Sequence, residues 1–160
     1  MAYSIEKTKN RLSEIKEKIE AKKSEMANLE QNKREILEAG SEVTGSNLDE
    51  RTQGVVMDSL SQSLEANAQR GRELSSEMNA DLQDMEAARQ ENQGSLESNE
   101  KETANAERVK GLLDKFGAGS AMDKGLSALN ENRKELTDLD HELAKTQQEI
   151  FDLSAKAGML

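Results

Sequence analysis

Apolar residues in the first forty positions recur with the seven-residue period of helices that pack along one another. With Ile5 as position a of a heptad, seven of the ten a and d positions from Ile5 to Ile36 are apolar. Ser4 can cap the start of such a helix, and Gly40 directly follows its last apolar turn. The pattern therefore predicts a helix over residues 4–39 with this seam: Ile5, Leu12, Ile15, Ile19, Met26, Leu29 and Ile36.

The middle of the chain carries a less regular apolar stripe. The segment "GSEVTGSN" at residues 40–47 predicts a loop, and Asn47 followed by Glu50 has the spacing of a capping box. Several apolar residues of the second helix lie eleven positions apart, so its stripe is predicted to drift across the helix surface rather than hold a strict heptad. The seam candidates of this helix are Leu60, Leu64, Leu74, Met78, Leu82 and Met85.

The most regular heptad lies at the C-terminal end. Nine of the twelve a and d positions from Met122 to Leu160 are apolar, which favours helix-on-helix packing. Glycines in "GLLDKFGAGS" mark a second turn, after which the helix is expected to start near Ser120. This pattern predicts a helix over residues 121–157 with the seam Leu129, Leu136, Leu139, Leu143, Ile150 and Leu153.

Charges beside the seams select one pairing of these helices. If the first and third helices lie parallel, with Ile5 level with Leu136, four pairs of opposite sign meet: Lys9 with Glu135, Lys16 with Glu142, Lys23 with Glu149, and Glu30 with Lys156. Each pair contributes only about 0.3–0.5 kcal/mol, so together they choose a register rather than hold the fold. The prediction is an all-α fold of long antiparallel helical hairpins, forming a three-helix, up-down-up, coiled-coil-like bundle. Residues 1–160 are expected to form a single elongated helical domain.

The second helix admits two arrangements. In the bundle, which we prefer, it covers residues 47–93 and ends near Gly94, and residues 95–116 form a separate, polar helical segment. The alternative is one continuous middle helix, with the first helix packed on its first half and the third on its second. Apolar residues are few after Met85, and we predict that these contact a partner: Leu96, Val109, Leu112, Leu113 and Phe116.

The composition alone is typical of a disordered chain, and only the periodicity argues against that. Hydrophobic and charged residues each make up 34%, the net charge is −10, and the aromatic residues are one tyrosine and two phenylalanines. The absence of proline permits very long helices, and the absence of cysteine excludes disulfides and thiolate metal sites. No stretch has the apolar length of a secretory signal core or a membrane span, so neither Sec export nor membrane insertion is expected.

Candidate catalytic chemistry is sparse. His141 is the only histidine and follows Asp138 by three positions, a spacing seen in half of a helical di-metal ligand set. Such sites take a histidine from each of two helices, and the heptad places His141 at f, the position furthest from the seam. We therefore expect a solvated helix face there, and neither a metal, a cofactor nor a catalytic pair elsewhere; the "GAGS" segment is interpreted as a helix-capping turn.

The distribution of charge along the chain limits which molecules it is expected to bind. Residues 1–39, 40–120 and 121–160 carry balances of +1, −8 and −3, so no basic block exists for nucleic acid. A homo-oligomer is possible, but a parallel, in-register dimer through the first helix would oppose like charges, such as Lys18 and Lys23. Lys22 and Lys33 occupy seam positions, where lysine lowers stability and restricts which helices can pair.

These observations favour a non-enzymatic helical protein–protein interaction module, such as a scaffold, adaptor or assembly component, acting in the cytoplasm on a protein of unknown identity. The alternative is a small helical protein that a specialised system exports without a cleavable signal peptide, or the helical targeting partner of a larger secreted toxin.

Overall fold

Three long helices make up the computed structural model, which describes residues 5–160. They are α1 (Ile5–Thr44), α2 (Glu50–Asp114) and α3 (Asp123–Gly158), with a 3-10 turn over Gly119–Met122 directly before α3. No strand occurs within these residues. The proposed cap Ser4 lies outside the described residues. The all-α, three-helix prediction is confirmed.

The chain divides into two compact units, and each helix contributes to both. The first unit contains residues 5–15 and Gln83–Gln147, and the second contains Lys16–Leu82 and Gln148–Leu160. The prediction of one domain over residues 1–160 stays a prediction.

In the first unit, α2 runs antiparallel to both other helices. Its Asn92 side-chain amide donates to the Leu136 carbonyl of α3, and Asn99 donates to the Leu129 carbonyl, each over 2.9 Å. Residue numbers thus rise along α2 while they fall along α3. Lys9 of α1 lies 3.9 Å from Glu135 of α3. The core of this unit combines seam residues of all three helices: Leu12, Met85, Leu136, Leu139 and Leu143.

In the second unit, the same directions hold. Lys22 of α1 pairs with Asp81 of α2 at 2.5 Å, and Lys23 lies 3.6 Å from Glu149 of α3. The Ser75 and Ser154 hydroxyls of α2 and α3 are 3.0 Å apart. The core contains Ile19, Met26, Leu74, Met78, Ile150 and Ala157.

The predicted charge register between α1 and α3 is therefore found in each unit. Of the expected pairs, Lys9 with Glu135 and Lys23 with Glu149 are ion pairs with the same offset of 126 positions. That repeated offset requires the two helices to be parallel, as the up-down-up arrangement demands.

The predicted break near Gly94 is wrong, because α2 continues without interruption to Asp114. Residues 95–116 are not a separate segment. A β-carbon at Gly94 would meet nothing within 4 Å, so this glycine marks an open helix surface rather than a bend. The end of α2 instead packs beside the start of α3, where Lys110 pairs with Asp123.

Both turns lie slightly away from their predicted places. Helix α1 passes through Gly40 and ends at Thr44, and α2 begins at Glu50 with the Asp49 carbonyl accepting the Gln53 N–H, so Asn47 lies before the cap. A β-carbon at Gly40 would touch the Met57 side chain of α2. The two helices therefore still pack against each other at the level of Gly40.

The second turn is a Schellman motif. The Ala118 N–H donates to the Leu113 carbonyl, and the N–H of Gly117 donates to the Asp114 carbonyl. Gly117 has φ +70°, the left-handed conformation that this motif needs and that glycine adopts without strain. The turn therefore follows the end of α2 at Asp114 and directs the chain into α3.

Candidate helix-binding groove

Most of the predicted seam lies in the core. Fourteen seam residues are buried: Ile5, Leu12, Ile15, Ile19, Met26, Leu29, Leu74, Met78, Met85, Leu136, Leu139, Leu143, Ile150 and Leu153. The other five are half-buried: Ile36, Leu60, Leu64, Leu82 and Leu129. Two of these half-buried residues, Ile36 and Leu60, line a groove between α1 and α2.

The seam of α2 holds a strict heptad that the apolar residues alone did not reveal. Positions 67, 71, 74, 78, 81, 85, 88 and 92 are all buried, with alternating spacings of four and three. Four of the buried seam residues on α2 are polar: Asn67, Asp81, Asn92 and Asn99. The predicted drift is therefore wrong, and Leu82, which suggested it, is only half-buried. Counting asparagine, aspartate and glycine as allowed seam residues would have shown the repeat.

The two seam lysines each find an oxygen partner. Lys22 pairs with the buried Asp81, with 17% and 7% of the two side chains exposed. Lys33 donates to the Met159 carbonyl over 3.2 Å, at the C-terminal end of α3, where helix carbonyls lack partners within the helix. Both lysines thus form polar contacts between α1 and a neighbouring part of the chain.

In the second unit, α1 and α2 enclose an open groove, which we name the α1–α2 groove. It has a volume of about 570 Å³ and an apolar floor of Leu29, Ile36 and Leu60. Its remaining lining is small or polar: Asn32, Glu35, Ala39, Ser63, Ala66 and Asn67. No α3 residue lines it, so its apolar floor has no third helix over it.

Asn67 gives this groove an unsatisfied hydrogen-bond donor. The residue is 5% exposed, and its Nδ2 has no acceptor within the described part of the chain. An unsatisfied buried donor costs on the order of 1–3 kcal/mol. The Asn67 nitrogen has almost no exposed surface, so an occupant of the groove would not contact it directly. The amides of Asn92 and Asn99 do find acceptors, because each donates to a backbone carbonyl of α3, although the Oδ1 atoms of both residues lack a donor.

The surroundings of the groove are acidic. Residues 29–67, which contain the groove lining, carry eight carboxylate side chains and three basic ones. Nearby in the same unit, Arg70 donates to both carboxylate oxygens of Glu25, at 2.6 and 2.8 Å. The hydrogen bond from Arg70 lowers the pKa of Glu25 below its usual value. The pair joins α1 to α2 beside a strongly negative stretch.

The first unit carries an exposed apolar stripe at the end of α2. Val109, Leu112 and Phe116 are 37%, 53% and 83% exposed. The first two lie three positions apart on α2, and Phe116 lies in the turn directly after the helix. We name these three residues the tip stripe. The other two candidate partner contacts, Leu96 and Leu113, are half-buried. Whether any of the five touches a partner stays a prediction.

The charge around the tip stripe is opposite to that around the groove. Residues 108–124 contain four basic and two acidic side chains. One of the basic groups, Lys110, donates to Asp123 over 2.8 Å, and this hydrogen bond raises the pKa of the lysine. The ion pair ties the end of α2 to the start of α3 beneath the stripe.

Neither a metal-binding group nor a membrane-spanning helix is found among the described residues. His141 is exposed on α3, as its heptad position predicts. Across residues 5–160, no group of three histidine, cysteine, aspartate or glutamate residues is arranged to hold a metal ion. None of the helices, as far as they are described, contains an apolar stretch long enough to cross a membrane.

Comparison with known proteins assigns the chain to no group. No protein-family model, no curated protein and no solved structure matches it significantly.

Proposed function

We propose that this chain is a non-enzymatic helical interaction module whose α1–α2 groove binds an amphipathic helix of a partner protein. The observation that carries the proposal is the apolar floor of the groove, which Leu29, Ile36 and Leu60 form and no α3 residue covers. The floor favours an occupant that presents hydrocarbon side chains.

The floor also sets the period of the occupant. Leu29 and Ile36 are seven residues apart on α1, which corresponds to about 10.5 Å along the helix axis. A partner helix lying along the groove would present matching apolar side chains at the same seven-residue separation. This is the helix-in-groove mode, in which anchors at i, i+3 or i+4 and i+7 enter an apolar cleft. The small residues Ala39, Ser63 and Ala66 leave room for the partner to approach closely.

Site-specific photocrosslinking in the source cells tests this proposal. A benzophenone amino acid at Ser63 places the probe in the groove, and the same probe at the exposed neighbour Gln62 is the matched control, because Gln62 lies on the same helix but outside the groove lining. We expect a protein adduct from position 63 only. The peptide attached to it should be amphipathic, with apolar residues at heptad spacing.

A second variant separates groove binding from chance contact. Leu60→Glu adds a charge to the half-buried floor, and we expect it to abolish the position-63 adduct while circular dichroism keeps its helical signal. Equal adducts at Ser63 and Gln62, or adducts that survive Leu60→Glu, would show that the groove is not the binding site. An absence of adducts at both positions contradicts the proposal as well.

A further inference from the structure

We infer that the helix received by the α1–α2 groove is the tip stripe of a second copy of this chain, so that copies associate head to tail. This inference rests on the proposed function, because it names the occupant of the same groove. It is carried by two relations between the two surfaces: their apolar spacing and their opposite charge.

The apolar spacing of the two surfaces is the same. Val109 and Phe116 delimit the tip stripe and are seven residues apart, as Leu29 and Ile36 are on the groove floor. Seven residues correspond to about 10.5 Å along α1, and the tip stripe runs from the last turns of α2 into the turn that follows it. Phe116 is the most exposed large apolar side chain in the described chain. Burying this ring on the leucine and isoleucine floor removes apolar surface from water on both copies.

The charges are complementary. Acidic groups outnumber basic ones by eight to three over residues 29–67, which contain the groove lining, whereas basic groups outnumber acidic ones by four to two over residues 108–124 around the tip stripe. Arg108 and Lys115 directly precede the stripe residues Val109 and Phe116, so the cationic groups accompany the apolar side chains. Opposite potentials steer such surfaces together and disfavour the pairing of two acidic grooves.

The contact joins two different surfaces, so one pair of copies leaves a free groove and a free tip. Such heterologous contacts build rings or open chains rather than closed two-fold dimers. We therefore expect the mass in solution to rise with concentration above twice the monomer mass of 17.7 kDa, and to fall when salt screens the charges.

Complementation between two variants tests the inference directly. Leu60→Glu disables the groove and leaves the tip, whereas Phe116→Glu disables the tip and leaves the groove. By light scattering coupled to size-exclusion chromatography, each variant alone should stay at the monomer mass. Their mixture should form particles of twice that mass and no larger, because only one productive contact remains. Circular dichroism of both variants establishes that they are folded.

Other outcomes overturn the inference in distinguishable ways. If Phe116→Glu associates as the unmodified chain does, the tip is not the occupant. If the unmodified chain is monomeric at all concentrations while the Ser63 photoadduct contains a different protein, the groove binds a helix but not this one, and the proposed function stands alone. If neither association nor adduct is found, both fail.

Cysteine crosslinking provides an independent measurement, because the natural chain contains no cysteine. Ser63→Cys and Lys115→Cys both replace exposed residues. Their mixture should form the mixed disulfide on the order of tenfold faster than either variant forms its own, since docking raises the local concentration of the two thiols. Faster Ser63→Cys homodimers would indicate groove-to-groove pairing instead.

Discussion

Gly71 of α2 faces the backbone oxygen of Ala157 in α3 so closely that a β-carbon at position 71 would lie 2.5 Å from that oxygen. The same β-carbon would lie 2.9 Å from Cβ of Leu160. Backbone cannot yield as a flexible side-chain end can, so the two helices meet there at a separation that only glycine allows. Gly71 therefore sets the distance between α2 and α3 in the second unit.

Gly71→Ala is expected to lower the free energy of unfolding by about 1–3 kcal/mol, the range for overpacking a close contact. The alanine has to push α3 away, and the loss of packing exceeds the gain in helix propensity. Urea denaturation followed by circular dichroism measures the change. Gly94→Ala is the matched control on the same helix, because a β-carbon there meets nothing within 4 Å. That substitution should raise the free energy by about 0.5–1 kcal/mol. A stabilising Gly71→Ala would contradict the close approach.

The Lys22–Asp81 ion pair is expected to show strong coupling. Removing only one charge leaves the other in a largely buried site, which typically costs about 3–5 kcal/mol, and the residual 17% exposure of Lys22 favours the lower end. The double variant Lys22→Met with Asp81→Leu should recover most of this loss, because no uncompensated charge remains. A double-mutant cycle in urea measures the coupling. Additive losses would indicate that water already solvates the pair.

The Glu25–Arg70 pair gives stability a pH dependence of known sign. Because Arg70 lowers the pKa of Glu25 in the folded chain, the pair stabilises the fold above the usual glutamate value of 4.5. That contribution disappears as the pH falls through the lowered pKa and the carboxylate takes up a proton. With 39% of the Glu25 side chain exposed, solvent screens the pair and the effect should be small.

Comparison with Glu25→Gln isolates this effect. The melting temperature of the unmodified chain should exceed that of the variant at pH 7, and the difference should vanish in strongly acidic buffer. It should also shrink in 1 M salt, where the screening length is about 3 Å. A difference that persists unchanged in acid would assign the effect to packing rather than to charge.

The seams of α1 and α3 could be predicted from the sequence because leucine and isoleucine occupy their heptad positions and charges flank them. The pairing of Lys9 with Glu135 followed from sign alone. The seam of α2 could not be predicted in the same way, because Asn67, Asp81 and Asn92 look like surface residues until a helix partner supplies their hydrogen bonds. Heptad positions cannot be recognised there if only apolar residues are counted as seam residues.

The apolar residues of the groove could be predicted from the sequence, but their exposure in a groove could not. Leu29, Ile36 and Leu60 were all predicted as seam residues, and all three lie between α1 and α2. Heptad spacing shows which side of a helix can be buried, but not whether another helix covers it. That depends on where α3 lies, and the position of α3 depends on Gly71 and on polar contacts that carry no hydrophobic signal.

The asparagines of the first unit have a mechanical consequence. Between Asn92 and the end of α2, the buried residues are Asn99, which donates to the Leu129 carbonyl of α3, and Ala106. If this part of α2 separates from α3, water can replace the Asn99 hydrogen bond, and little apolar surface becomes exposed. Local opening is therefore expected to cost less free energy here than along the leucine-rich seams.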